Sequence, residues 1–440
     1  MTSPDTRMRS KMARMRQPRL CRMLAAGALV AGLAFPSVLI PRTSAQTIAT
    51  FKPNPADQIP AKRKAGTIAD GFTLAAVGDL VGPEIPVMGL EDPEFAKLVD
   101  ILRNASVAVA NAETPVFDLR TPGIYPEGGT SQPSKPPVIA KEYAQMGFDV
   151  LSMAFNHAGD WSPPALEQMQ HLLNEAGIET MGYGITRAFA QAPAYVNTRF
   201  GRVSFVGVTT TLNHAGGMAS DGVGFTRSRA GVNALRLNKD KSYNEYDHYN
   251  QLRALRFAKD VSDLAVLYVH SHEEPRLFTK FYRDAIDAGA DIVIASHTEP
   301  ERRGIEIYKG FPIFYGINPF FYSMYELSTP NLERYEQLDV DPRASIPRDI
   351  IDHQFARYRA HEMFGSVIAV IHTRGGRPSE IRLIPIELRE AAKDYRNGHP
   401  RPANAEQGRE ILDGIAKASA VYGTKIRIED NVGIISIPAT

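Results

Sequence analysis

Five short stretches of this chain gather carboxylates, imidazoles and amides. They are Val77-Gly78-Asp79, Asn111-Ala112-Glu113, Asn156-His157 with Asp160 close by, His270-Ser271-His272-Glu273-Glu274, and Ser296-His297. That is the donor set of a metal site built without cysteine. Such oxygen and nitrogen donors suit Zn²⁺, Mn²⁺, Fe or Mg²⁺ and do not distinguish among them. Two ions about 3.5–4 Å apart clamp a phosphoryl group and activate water. Each stretch alone has a plainer reading: Asp after Gly as a turn former, Asn as a turn residue, His as a hydrogen-bonded structural residue. Five at equivalent places point to one site.

The places are equivalent because of the elements that deliver them. Each stretch ends an apolar run: Phe72 to Leu80, Ser106 to Ala112, Phe148 to Phe155, Leu264 to Val269, and Asp291 to Ala295. Period two puts Asn111 and Glu113 on the same side of their strand. Helical patterns lie between the runs. Asp92-Pro93 starts one that buries Phe95, Leu98, Val99 and Leu102. Val138 to Met146 ends at Gly147, a C-cap glycine. Pro163-Pro164 opens another, with Leu166, Met169, Leu172 and Leu173 inward. His248–Val261 and Pro275–Ala288 flank the Leu264 run. Alternating strand and helix predict a sheet covered by helices, which binds ligands at the carboxyl ends of its strands. Gly201-Arg202, Lys309-Gly310 and Gly375-Gly376 sit in hairpin patterns, so the sheet is mixed or there are two sheets. A polar stretch over 211–247 reads as a long loop at the site. A helix over 405–420 and a strand over 432–437 follow.

The amino end stands apart. Seven basic residues from Arg7 to Arg22 precede an apolar run from Met23 to Ile40, followed by Pro41-Arg42-Thr43-Ser44-Ala45. Basic, apolar, then small is a secretory signal over 1–45. Its alternative is an uncleaved membrane anchor, since the run is near the ~18-residue lower bound for a span. The expected location is therefore periplasmic or extracellular. Residues 1–45 carry eight Lys/Arg and one Asp, so a whole-chain charge of +1 leaves about −6 beyond them. That balance favours neither nucleic acid nor an anionic membrane surface. The single cysteine is Cys21, inside this segment. The rest of the chain has no disulfide, thiolate zinc site or cysteine nucleophile, and its core must hold it together.

The motifs resemble the capsule-synthesis, poly-γ-glutamate CapA family, which is similar to the calcineurin-like metallophosphoesterases. The likeness runs from about Phe72 to Tyr322 plus the late hairpin. It rests on "VGDLVG", "VANAETPV", "FDVLSMAFNHAGDW", "LAVLYVHSHEE", "GADIVIASHTEP" and "GIEIYKGFPIFYGINPFF". The resemblance implies an α/β fold, a four-layer α/β/β/α sandwich of two mixed sheets. It implies Asp79 and Glu113 as metal carboxylates, Asn156 as an amide ligand, and His270 and His297 as imidazole ligands. His157 would contact phosphate or act as general acid, with Asp160 orienting it. The cofactor would be one or two divalent metal ions.

Three positions depart from the family pattern. Leu80-Val81 follows Asp79 where the wider superfamily has Asp-x-His. Pro300 stands where a second His usually follows His297, and Ser296 replaces a Gly. Asn318-Pro319-Phe320 replaces Gly-Asn-Phe. The first two weaken one metal position, for which Glu299, Glu301 or His272 are substitutes. His272, where the family usually has Gly, is the best of them.

Two functions follow. One is a metal-dependent, phosphatase-like hydrolase acting on a phosphoester or anionic polymer in capsule or poly-γ-glutamate biosynthesis. The other is a non-catalytic binding, export or anchoring factor for an anionic envelope polymer, beside a membrane-bound synthase. Nucleic acid is not an expected partner. The expected division is a signal at 1–45, a linker at 46–70, a CapA-like domain at 71–390 with an insertion at about 325–365, and a helix-and-strand extension at 391–440. His171 reads as solvated. His214, His248 and Arg302-Arg303 are weaker substrate candidates, Glu306 a hairpin organiser, and Trp161 a packing residue.

Overall fold

The computed structural model describes residues 63–438, apart from 84, 128–133, 214–216, 223–226, 297–303, 324–363, 393 and 395. The chain opens with β1 (Thr73–Val81), α1 (Pro93–Asn104), β2 (Val107–Asn111), α2 (Val138–Met146), β3 (Val150–Ser152), α3 (Pro163–Glu175) and β4 (Glu179–Met181). Next come β5 (Tyr183–Gly184), α4 (Arg187–Ala190), β6 (Ala194–Thr198), β7 (Gly201–Thr209), β8 (Gly231–Val232), α5 (Glu245–Asp260) and β9 (Leu264–His270). Then α6 (Thr279–Ala288), β10 (Ile292–Ser296), β11 (Ile305–Tyr308), β12 (Phe311–Ile317) and β13 (Phe321–Tyr322) complete the middle of the chain. The last part holds β14 (Gly365–Arg374), β15 (Arg377–Glu387), β16 (Arg401–Pro402), α7 (Ala405–Ala420), β17 (Arg427–Glu429) and β18 (Val432–Ser436).

The result is a mixed α/β fold with two large sheets. The first runs β17-β18-β15-β14-β1-β2-β3-β4, with β13 on β1 and β16 on β15. The second runs β11-β12-β10-β9-β7-β6. β1 through β4 pair in parallel, as do β7, β9, β10 and β12. Parallel neighbours need crossovers, and α1, α2, α3, α5 and α6 supply them. The three hairpin signals are antiparallel pairs: β6/β7, β11/β12 and β14/β15.

Both faces of the parallel strands are buried, which is why they read as continuous apolar runs. In β1, Ala75 and Val77 pack with Phe95 and Leu98 of α1, Tyr143 of α2 and Leu166 of α3. The alternate residues Leu74 and Ala76 share a cluster with Phe205, Val266, Tyr268 and Ile294 of the second sheet. On the other side of that sheet, Val206, Leu267 and Val293 pack with Leu255 of α5 and Phe281 and Ile286 of α6. The fully buried Tyr268 hydroxyl needs a partner and finds one in the first sheet, donating to Val77 O at 2.7 Å.

Several boundaries moved from their expected places. The run from Phe148 pairs as a strand only over Val150–Ser152, because the chain then turns into a 3-10 segment at Asn156–Gly159. Within 211–247, β8 pairs with β5, and α5 begins at Glu245, where the Asn244 side chain accepts from Asp247 N. Arg63 and Lys64, inside the expected linker, attach to the body. Lys64 Nζ donates to the carbonyls of Lys259 and Asp260 at the end of α5, and Arg63 reaches Gly289 O beyond α6 and the Asp291 carboxylate. Cations at helix carboxyl ends are favourably placed. Most of the expected insertion at 325–365 lies outside the described residues. No described helix is long and apolar enough to cross a membrane.

Candidate metal centre

Strand register builds the site. Asp79, Asn111 and Ser152 stand side by side across β1, β2 and β3. Thr209, His270 and Ser296 stand side by side across β7, β9 and β10. All six are fully buried, each at or near the carboxyl end of its strand. The two rows belong to different sheets and meet through His270, whose Nδ1 lies 3.2 Å from Asp79 Oδ1 and 3.1 Å from Ser296 Oγ. β1 reaches this point because Gly78 has no side chain. A Cβ there would fall 2.2 Å from Asn318 O and 2.5 Å from Ile317 O, where the chain leaving β12 crosses over it.

Asn111 and Glu113 do share a side. The Asn111 amide nitrogen donates to Asp79 Oδ1 and to Glu113 Oε2, both at 2.7 Å. On the far side of the imidazole, His270 Nε2 lies 3.0 Å from Asn156 Oδ1 and 3.4 Å from Glu113 Oε2. His272 is two residues beyond, half-buried, its ring 4.9 Å from that of His270 at 75°. One ligand atom each from Glu113, His270 and His272 lies within 4.8 Å of the others. Asp79, Glu113, Asn156, His270 and His272 are thus brought together, while His297 lies outside the described residues, as do Glu299, Pro300 and Glu301.

The electrostatics follow from burying two carboxylates against one imidazole. Burial and the neighbouring Asp79 push Glu113 up to about 7, against the opposing pull of His270. Burial works against protonating His270, yet the charges of Glu113 and Asp79 raise it to about 9. Asp79 is held below the usual carboxylate range: burial opposes this, but the His270 charge and hydrogen bonds from His270, Ser296 and Asn111 outweigh it. In the metal-free protein the charge on His270 balances the two carboxylates, with Nδ1 toward Asp79 and Nε2 toward Asn156.

His157 and Asp160 form a separate pair at the rim. The 3-10 turn brings His157 Nδ1 to 2.6 Å from Asp160 Oδ2, and Asp160 is fully buried. A carboxylate only accepts, so Nδ1 carries the proton. Asn213 is a neighbour that the sequence did not reveal. Its amide nitrogen lies 3.0 Å from His157 Nδ1 and 3.4 Å from Nε2, hence against the ring, and its Oδ1 accepts from Asn156 Nδ2 at 3.2 Å. Its backbone N–H also donates to Asn156 O. Nothing marks Asn213 in a loop already rich in Asn, Ser and Gly. Trp161 packs edge-on to Phe117, centroids 4.9 Å apart. His171 is exposed beside Glu175, and His248 Nε2 lies 3.0 Å from Asp284 Oδ2. Glu306 accepts from Tyr315 within its hairpin and from Arg283 of α6.

Residues 73–321 match the bacterial capsule synthesis protein family PGA_cap. Over 442 aligned residues the chain is 31% identical to each of two Sinorhizobium fredii proteins, y4sH and y4uA, both named as uncharacterized; the alignment spans 85% of this chain and 95% of each relative. It is also 25% identical over 265 residues to the capsule biosynthesis protein CapA of Bacillus anthracis, covering 57% of this chain and 60% of that protein.

Proposed function

The chain belongs to the bacterial capsule synthesis family PGA_cap, and from that premise we propose that it is an exported, metal-dependent hydrolase of phosphatase type acting in capsule biosynthesis. The observation that carries the reading is the convergence of Glu113, His270 and His272 beside Asp79 and Asn156 in a buried cluster. The donors fit a divalent cation. Among the described residues, Asp79 Oδ2 and Asn111 Oδ1 are buried acceptors without a hydrogen bond, which a cation nearby would compensate. Glu113, Asn156 and His270 would hold the ion, with Asp79 alongside. When bound, the ion supplies Lewis-acid charge for a phosphoryl group and acidity to water.

The protein's own groups do the rest. Asp160 fixes the His157 tautomer, so that Nε2 delivers or removes a proton at the cleft. Asn213 and Asn156 fix the turn that carries it. The substrate class is a phosphoester or an anionic polymer at the envelope, met after export directed by residues 1–45 and beside a membrane-bound synthase. We read the two sheets with helices on their outer faces as a four-layer α/β/β/α sandwich spanning 71–390, extended by 391–440. Support comes from the three apolar clusters described above.

One observation favours the second reading, a non-catalytic binder of an anionic polymer. Val81, where the superfamily carries a histidine ligand, is buried and paired with Tyr322, so β1 offers one donor instead of two. Metal content and hydrolysis of generic phosphomonoesters and phosphodiesters separate the two. The hydrolase reading expects bound metal and turnover lost in both Glu113→Gln and His157→Ala. Polymer binding that persists after chelation, without turnover, supports the binder.

A further inference from the structure

We infer that His272 is the second imidazole of a single zinc-type site formed with Glu113 Oε2, His270 Nε2 and Asn156 Oδ1. The inference rests on the metal reading of the cluster and adds how many ions it takes, which ion, and which residue of this chain decides both.

The distances set the count. Zinc bonds to imidazole and carboxylate of about 2.0–2.1 Å place tetrahedral ligands roughly 3.3 Å apart. His270 Nε2 to Glu113 Oε2 is already 3.4 Å, and His270 Nε2 to Asn156 Oδ1 is 3.0 Å. The His272 donor lies within 4.8 Å of the other two, so a small side-chain rotation closes the set. Nothing on β1 furnishes a second imidazole, because Val81 occupies that register position against Tyr322.

The second face of each ligand argues for fixed orientation. His270 Nδ1 faces the Asp79 carboxylate, the carboxylate–histidine arrangement that commits Nε2 to the ion. Asn111 holds Glu113 Oε2 from behind. The backbone N–H of His272 donates to Thr211 Oγ1 at 3.1 Å, and Ser271 Oγ accepts from Thr210 Oγ1 at 2.7 Å, so the segment after β9 is pinned to the segment after β7. Two nitrogens with one carboxylate and one amide oxygen select Zn²⁺ over Mg²⁺, which prefers six oxygens. His272 supplies half of that nitrogen character.

The test is metal binding, not turnover. The purified protein is stripped with chelator and titrated with Zn²⁺, Mg²⁺ and Co²⁺, with stoichiometry from elemental analysis and geometry from the Co²⁺ absorption. One Zn²⁺ per chain is expected, with Mg²⁺ failing to compete. His272→Gln should weaken Zn²⁺ at least about 10-fold, change the Co²⁺ spectrum, and narrow the Zn²⁺/Mg²⁺ preference, while the metal-free melting temperature holds. His272→Gly, which adds no new group, should do the same if the glutamine variant folds poorly. Unchanged Zn²⁺ affinity and Co²⁺ spectrum in both variants overturn the inference but leave the Glu113–His270 site standing. Two ions per wild-type chain also overturn it. No ion bound by wild type defeats the metal reading itself.

Discussion

His270 Nδ1 lies 3.2 Å from Asp79 Oδ1, although the two residues are 191 positions apart and belong to different sheets. Neither has any exposed surface. The contact joins the edges of both sheets and leaves two buried carboxylates dependent on one imidazole.

Replacing that imidazole should therefore cost stability as well as metal. His270→Ala strands Asp79 and Glu113 without their cation, and breaking a buried charge cluster costs about 3–5 kcal/mol. Urea unfolding of the metal-free protein at pH 7 should show a loss of that size. An unchanged midpoint would mean the carboxylates share a proton between themselves instead.

The rim pair affects chemistry more than folding. Asp160→Asn replaces the acceptor-only carboxylate that holds the His157 Nδ1 proton with an amide that can also donate, and so frees the other tautomer. Turnover of a generic phosphoester should fall by about 10²-fold, with KM little altered and metal content unchanged. An equal loss of metal would instead place Asp160 in the structural support of Asn156.

A second buried charge cluster sits at the opposite ends of the strands. The Asp291 carboxylate accepts from Lys259 Nζ at 2.7 Å, from Arg63 at 2.6 Å and from Ala265 N at 2.8 Å. Burial pulls the Lys259 pKa down and Asp291 opposes that. Asp291→Asn should destabilise by about 3 kcal/mol because Lys259 stays buried. The double change Lys259→Met with Asp291→Asn should recover part of it. Chemical denaturation of wild type, Asp291→Asn, Lys259→Met and the double variant gives the coupling directly.

Acid should destabilise the protein through His399. Burial, helped by the nearby Arg389 charge, lowers it to about 3, against an unfolded value of about 6.5. The unfolded chain therefore binds the proton first as pH falls. Stability from this group is complete above about pH 6.5 and declines toward pH 3, by about 2 kcal/mol on reaching pH 5. His399→Gln should flatten the slope of unfolding free energy between pH 7 and pH 5. A slope identical to wild type would assign the acid sensitivity to other groups.

The apolar runs and their polar ends were legible in the sequence because both are local. A strand buried on two faces must be continuously apolar, and it must become polar where it leaves the core. Period two alone placed Asn111 beside Glu113, and the C-cap glycine at Gly147 and the helix start at Pro163 followed from single residues. The strand leading to Asn156–His157 is expected over Phe148 to Phe155 but pairs only over Val150–Ser152. Nothing within those residues says that the β2 and β4 partners stop pairing at Asn111 and Met181.

The sequence by itself determined that Asp79, Asn111, Glu113, Asn156 and His270 come at or just past the ends of apolar runs, the absence of thiol chemistry beyond residue 45, and the likeness to the capsule synthesis family. Only the tertiary structure decided that the Asp79–Asn111 row and the His270–Ser296 row face each other, which nitrogen of His270 meets which oxygen, and that Asn213 lies against His157. These depend on how two sheets share a core, a matter of burying the Leu74 and Val266 faces together. Contacts across nearly two hundred residues are fixed by that burial and by strand register, and no local pattern of residues carries them.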